Sequence, residues 1–159
     1  MAVKEKRIPR REELLDIIKI VNTISENRCY VVGSIEDDIL LNGVGKDIRD
    51  LDIVVTTQHD LDALCEYYKF LYTKESYYNK FQSLHFDKYV CYDRDIKIDF
   101  LFPHTSTESV DLTVSDYYGV PVQHQTYEYK KALVREWVML SKDDNWVSQK
   151  FIPLLNRYE

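Results

Sequence analysis

Arg49-Asp50-Leu51-Asp52-Ile53-Val54-Val55 is the stretch that decides the fold. Its β-branched run predicts a strand over 49–56. Strand side chains alternate between faces, so Asp50 and Asp52 share one face about 7 Å apart along the strand, while Leu51 and Ile53 take the other. Two carboxylates this close beside apolar neighbours resist ionising together unless a cation stands between them. A hard divalent ion, Mg2+ or alternatively Mn2+, meets that need with oxygen ligands from the protein and from substrate phosphates.

Outward from that strand, Asp99 sits in Asp95-Ile96-Lys97-Ile98-Asp99-Phe100-Leu101-Phe102, an otherwise apolar strand end where an unpaired carboxylate is costly. If the two strands adjoin, three carboxylates converge, a set able to hold two metal ions roughly 3.5–4 Å apart. Upstream, the short strand over 29–32 runs into Gly33-Ser34 and then a helix over 35–41. A strand-to-helix turn exposes backbone N–H groups and the positive end of a helix dipole, which suits a triphosphate, and glycine permits close approach. Ser34 is the expected N-cap, with Asp37 as its capping-box partner. Lys46 and Arg49 are nearby cations that could neutralise phosphate, although a solvated surface position is an equal reading for Lys46. Singly, a Gly-Ser turn is usually just a capped turn and Asp-x-Asp usually surface decoration. The ordered set is far more specific.

The remaining pattern predicts an amphipathic helix over 12–25, another over 61–72, and strands over 81–92 and 95–102 joined as a hairpin at Asp93-Arg94. A short extended piece follows at Gly119-Val120-Pro121-Val122, then helices at about 127–140 and 143–156. This is an α/β (α+β) chain: a mixed sheet of about four to five strands flanked by helices, with C-terminal helices. A basic extension over 1–11 precedes a single domain over 12–159.

Composition closes several alternatives. Apolar runs fall far short of the ~20 residues of a membrane span, and no secretion signal is read at the N-terminus. Cys29, Cys65 and Cys91 suit neither a disulfide framework nor a paired-cysteine zinc site, so a reducing, cytoplasmic setting is expected. Net charge is −6, with +4 in residues 1–11 and −10 in the remainder, which disfavours a broad nucleic-acid surface. The basic extension reads as solvated chain, or as a contact for an acidic partner. Among the histidines, His104 is the foremost functional candidate because it leaves the strand just beyond Asp99.

Tyr30-Val31-Val32-Gly33-Ser34, Arg49 to Val55, and Lys97-Ile98-Asp99-Phe100-Leu101 together resemble the signature of the nucleotidyltransferase superfamily that shares its fold with DNA polymerase beta. The motif core spans residues 30–102. Gly119 to Val122, Lys131-Ala132-Leu133-Val134-Arg135-Glu136 and Lys142-Asp143 are similar to the C-terminal part of small bacterial and phage-type members. The resemblance implies transfer of a nucleoside monophosphate from a nucleoside triphosphate, ATP foremost, to an acceptor hydroxyl, with release of pyrophosphate. It assigns both metals to Asp50 and Asp52, the catalytic metal and activation of the hydroxyl to Asp99, and the β and γ phosphates to Gly33 and Ser34. Lys131, or neighbouring Lys130, would reach the triphosphate.

One departure stands out. Where the tRNA-tailing branch shows two glycines and a basic residue, this chain has Gly33-Ser34 and then Glu36-Asp37-Asp38, which would repel a triphosphate if they faced it. With little length for a polymer-gripping domain, a small-molecule or protein acceptor is favoured over RNA. A non-catalytic nucleotide-binding or regulatory partner protein on the same fold is the alternative, and a purely structural interaction domain the third reading.

Overall fold

Leu14, Ile17, Ile18 and Val21 recur at the i, i+3, i+4 and i+7 spacing of a helix face, and each is at most 4% exposed in the computed structural model. The structure describes residues 7–43, 47–69, 73–79, 84–104, 106–140 and 145–159, with backbone alone for 73–79, 84–85 and 145–148. That apolar face belongs to α1 (Arg11–Ser25), which packs with α3 (Gln58–Tyr68) on one side of the sheet. Leu61 and Leu64 of α3 join it over Val31, Leu51, Ile53, Ile98, Phe100 and Val122 in the main core. Leu51 and Ile53 thus lie on the face opposite Asp52, as strand alternation requires.

Among the described residues the sheet has seven strands: β1 (Tyr30–Val32), β2 (Asp50–Val54), β3 (Thr73–Asn79), β4 (Leu84–Asp93), β5 (Ile96–Pro103), β6 (Leu112–Tyr117) and β7 (Val120–Gln125). Their order is β3-β4-β5-β2-β1-β7-β6. β2 pairs parallel to β5, β1 parallel to β7, and the other neighbours are antiparallel. Four to five strands were expected from sequence; the two beyond that number, β3 and β6, are the sheet's edges. Edge strands need no continuous apolar run, and Thr73 to Asn79 and Leu112 to Tyr117 contain none. The β4–β5 hairpin turns at Arg94-Asp95, one residue later than expected, with φ of 52° and 65° at those two residues. The expected helix over 61–72 and strand over 81–92 lie partly outside the described residues.

The basic extension is bound where it is described. The Arg7 guanidinium donates to both Glu13 oxygens at 2.6 and 2.7 Å, and the Arg11 guanidinium lies 3.9 Å from the Tyr118 ring centroid. No helix among the described residues is long and apolar enough to cross a membrane.

Helix α2 (Gly33–Leu41) connects two cores. Ile35 enters the main one, whereas Leu40 and Leu41 pack with Val134, Trp137 and Tyr158 of α4 (Tyr127–Leu140) and α5 (Asn145–Tyr158). Its N-cap is Val32, with no side-chain cap bond, so the capping box expected from Ser34 and Asp37 is not formed. The acids of α2 are occupied elsewhere. Glu36 accepts from the Gln125 backbone N–H and side-chain amide, both at 2.8 Å, and pairs with Lys130 Nζ at 3.1 Å. Asp37 accepts from the Tyr158 hydroxyl at 2.5 Å and lies 3.6 Å from the same ammonium. Asp38 accepts from the Tyr117 hydroxyl. Three carboxylates that would repel an anion are thus neutralised or bonded within the protein, and they fasten α2 to β6, β7, α4 and α5.

Lys130 is 3% exposed and Glu36 fully buried, so removing the ammonium leaves carboxylates uncompensated away from water. Lys130→Met is expected to destabilise the fold by about 3–5 kcal/mol. Adding Glu36→Gln in that background should restore part of the loss, read by urea unfolding.

Candidate active site

Parallel pairing of β2 and β5 sets Asp52 directly beside Asp99, and antiparallel pairing of β1 and β2 sets Val32, immediately before Gly33, beside Asp52. These residues open into a cleft of about 670 Å³ between the sheet and the C-terminal helices. Gly33, Ser34, Asp52 and Asp99 line it at the sheet end, and Lys130, Trp137 and Phe151 on the helical side.

Gly33 is required twice over. Its φ is +72°, a left-handed conformation that disfavours side chains, and an added Cβ would press on the Asp52 carboxylate, with Cγ at 3.2 Å. The turn therefore approaches the carboxylate as closely as backbone can, at the N-terminus of α2 where its free N–H groups favour anions.

The acidic pair is under electrostatic stress. Burial pushes Asp52 up to about 7, with the charge and contact of Asp99 adding to it, then the charge of Asp50, and Lys88 opposing. Asp99 is 6% exposed. The Lys88 ammonium stands 3.5 Å from its Oδ2 and that of Lys97 3.7 Å from its Oδ1, the latter beyond hydrogen-bond reach. Asp99 Oδ1 is buried without a hydrogen-bond partner among the described residues. An unsatisfied buried carboxylate oxygen next to a carboxyl that resists ionisation is a donor set suited to a cation.

The expected convergence of three carboxylates is formed only by two. Asp50 is paired in register with Lys97, not with an acid, and stands one strand repeat away from Asp52, outside the cleft wall. Among the described residues no three His, Cys, Asp or Glu side chains are grouped closely enough to hold an ion by themselves. Asp52 and Asp99 remain as a two-carboxylate site, the number a Mg2+ ion commonly takes from protein when phosphates complete its shell.

The other candidates are scattered. Arg49 is exposed and Lys131 half-buried, and neither lines the cleft; the helix lysine that does is Lys130. Successive helical residues point about 100° apart, so a sequence pattern leaves the choice between adjacent lysines open. Lys46 lies outside the described residues. His104 Nε2 lies 3.0 Å from Asp87 Oδ1, in a pair outside the cleft wall. Lys88 escaped the sequence reading, although its alternation with Phe86 and Val90 placed it on the Asp99 face of the hairpin.

The sequence matches no family model and no curated protein. Solved structures do match its backbone. A candidate nucleotidyltransferase from Thermotoga maritima aligns at TM-score 0.60 and 13% identity over 92% of this chain and all of that one. The antibiotic-resistance factor ANT(2'')-Ia, solved with adenylyl-2''-tobramycin, aligns at TM-score 0.62 and 14% identity over 92% of this chain and 87% of its own. A nucleotidyltransferase-like protein from Paracoccidioides brasiliensis aligns at TM-score 0.56 and 10% identity over 93% of this chain and 76% of its own. The chain has the nucleotidyltransferase fold.

In the absence of divalent ions the native state holds a proton on Asp52 that the unfolded chain has released. Stability should therefore fall as pH rises from about 4 to about 7, where Asp52 ionises. Asp52→Asn is expected to flatten that slope and to raise the melting temperature at pH 8. Gly33→Ala should lower stability by about 1–3 kcal/mol, read by thermal melts of the same preparations.

Proposed function

We propose that the chain is a metal-dependent nucleotidyltransferase, moving a nucleoside monophosphate from a nucleoside triphosphate, ATP foremost, to a hydroxyl of a small-molecule or protein acceptor. The observation that carries this reading is the Asp52–Asp99 pair, held in register beside the Gly33-Ser34 turn at the head of α2. A neighbour in fold, ANT(2'')-Ia, was solved in complex with an adenylylated small molecule, which supports the acceptor class.

Gly33 and Ser34 would receive the β and γ phosphates through backbone N–H groups. Asp52 and Asp99 would hold a divalent ion, Mg2+ or Mn2+, with Asp50 the next carboxylate on the same strand face; when bound, the ion neutralises phosphate charge and polarises the reacting phosphoryl group. Asp99 accepts the proton of the acceptor hydroxyl as its oxygen bonds to the α-phosphorus. The α–β phosphoanhydride bond breaks on the opposite side, and pyrophosphate leaves. Lys88, already 3.5 Å from Asp99, balances charge on the β4 side of the cleft. Lys130 faces the cleft but is committed to Glu36 and Asp37, so its part is to shape the wall. Arg49 and Lys131 would act on a nucleotide only from outside that wall.

A second reading, a nucleotide-binding or regulatory protein without turnover, draws on one observation: Asp50 stands outside the cleft wall. Pyrophosphate release separates the two. With Mg2+, each triphosphate in turn and a mixture of hydroxyl-bearing acceptors, the enzyme reading predicts pyrophosphate and a labelled product by mass spectrometry. Asp52→Asn and Asp99→Asn should each lower the rate by roughly 10²-fold or more. Triphosphate binding with no pyrophosphate from any acceptor supports the second reading, and normal turnover in both variants overturns the assignment of the site.

A further inference from the structure

The cations lining the cleft differ in how the protein holds them. Lys130 is 3% exposed and pinned between Glu36 at 3.1 Å and Asp37 at 3.6 Å. On α5 the Arg157 guanidinium donates to the Gly43 carbonyl oxygen, and the Lys150 ammonium stands 5.3 Å from the Phe151 ring centroid. Lys88 is on the sheet itself. Antiparallel pairing of β4 with β5 sets Val90 opposite Asp99, and Lys88, two residues earlier on the same face, reaches Asp99 Oδ2 at 3.5 Å. Its side chain is 25% exposed, and it lines the cleft together with Gly33, Ser34, Asp52 and Asp99. Lys97, the other ammonium near Asp99, does not line the cleft.

Distance and position decide what Lys88 can do. A separation of 3.5 Å is longer than the about 2.7–2.9 Å of a charge-assisted hydrogen bond, so the ammonium is attracted to Asp99 without being locked to it. Its flexible four-carbon stem lets it exchange one anionic oxygen for another within the same cleft. Lys130, with two buried acids as partners, has no such freedom. The Lys88 ammonium and a divalent ion on the same carboxylate repel each other, so Lys88 opposes an ion that arrives alone. A triphosphate at the Gly33-Ser34 turn reverses the sign, because Lys88 then gains a phosphate oxygen as it yields Asp99. That exchange keeps every charge paired. It also takes away from Asp99 a cation that weakens it as a proton acceptor.

We propose that Lys88 couples ion binding to triphosphate binding: its ammonium holds Asp99 against an ion alone and turns to a phosphate oxygen when ion and triphosphate arrive together. The lysine that meets the triphosphate is then on the sheet, at Lys88, and not on α4 at Lys130 or Lys131. This inference rests on the nucleotidyltransferase reading of the same site and adds an order to it, the ion entering with the nucleotide and not ahead of it.

Binding is read without turnover, using Mn2+ and an ATP analogue with a methylene bridge between the α and β phosphorus atoms. Electron paramagnetic resonance of free Mn2+ gives the affinity for the ion alone, under argon at about pH 8.5, above the value of about 7 at which Asp52 ionises. Lys88→Met should bind Mn2+ alone roughly tenfold more tightly than the parent chain, and the analogue in saturating Mn2+ roughly tenfold more weakly by calorimetry. Lys88→Arg, which keeps the charge, should return the ion affinity towards that of the parent. Shifts of opposite sign are the signature, since a damaged fold weakens both; the melting temperature reports that each variant is folded. Unchanged or weaker Mn2+ binding in folded Lys88→Met overturns the proposal, and so does unchanged binding of the analogue. No Mn2+ binding by any variant, with or without the analogue, overturns it together with metal dependence. The two readings fail separately. Unshifted affinities in Lys88→Met beside pyrophosphate release by the parent chain remove the coupling and keep the transferase, whereas opposite shifts with no pyrophosphate from any acceptor keep the coupling and remove the transferase.

Discussion

Parallel pairing of β2 with β5 places Asp52 against Asp99, and much of the molecule is arranged around the consequence. Two adjacent buried carboxyl groups repel each other, and burial adds to the penalty, so Asp52 holds its proton up to about 7 when no cation is present. A sheet optimised for stability alone would place apolar residues there, as it does on the opposite face with Leu51, Ile53, Ile98 and Phe100. The strain is tolerated because that opposite face is so well packed, with α1 and α3 burying it completely. One side of the sheet supplies the stability, and the other is free to keep groups that need a ligand.

The second constraint is the buried cluster around Lys130. Helix α2 begins with acids, as helix N-termini favour, yet it also begins at the turn expected to meet an anion. The conflict is resolved in tertiary structure. Lys130, Gln125, Tyr158 and Tyr117 take up the carboxylates of Glu36, Asp37 and Asp38, so their oxygens are bonded within the protein and Lys130 offsets part of their charge. The same bonds hold the C-terminal helices in place as the helical wall of the cleft. Charge neutralisation and site assembly are here one set of contacts.

The elements legible in the sequence were those whose pattern is local. The period of α1, the alternation in β2 and β5, and the Gly33 turn each follow from neighbouring residues. Edge strands β3 and β6 were not legible, since an edge strand needs no continuous apolar run, and β6 borrows its order from pairing with β7. The place of Asp50 relative to the other two acids could not be read from the strand pattern alone. Alternation gives the face of a residue but not what stands beside it on the next strand, and register set Lys97 opposite Asp50. Lys88 was missed because a lone lysine on a strand carries no pattern of its own.

By itself, then, the sequence determined the helices and central strands, the face shared by Asp50 and Asp52, and the glycine at the turn, because these depend on residues within one or two turns or strand repeats of each other. Tertiary structure alone decided which carboxylates meet, which of two adjacent lysines faces the cleft, and which polar atoms are left without partners. Those outcomes depend on strand register and helix rotation, and both are set by packing between segments far apart in sequence, as between Asp37 and Tyr158, which lie 121 positions from each other.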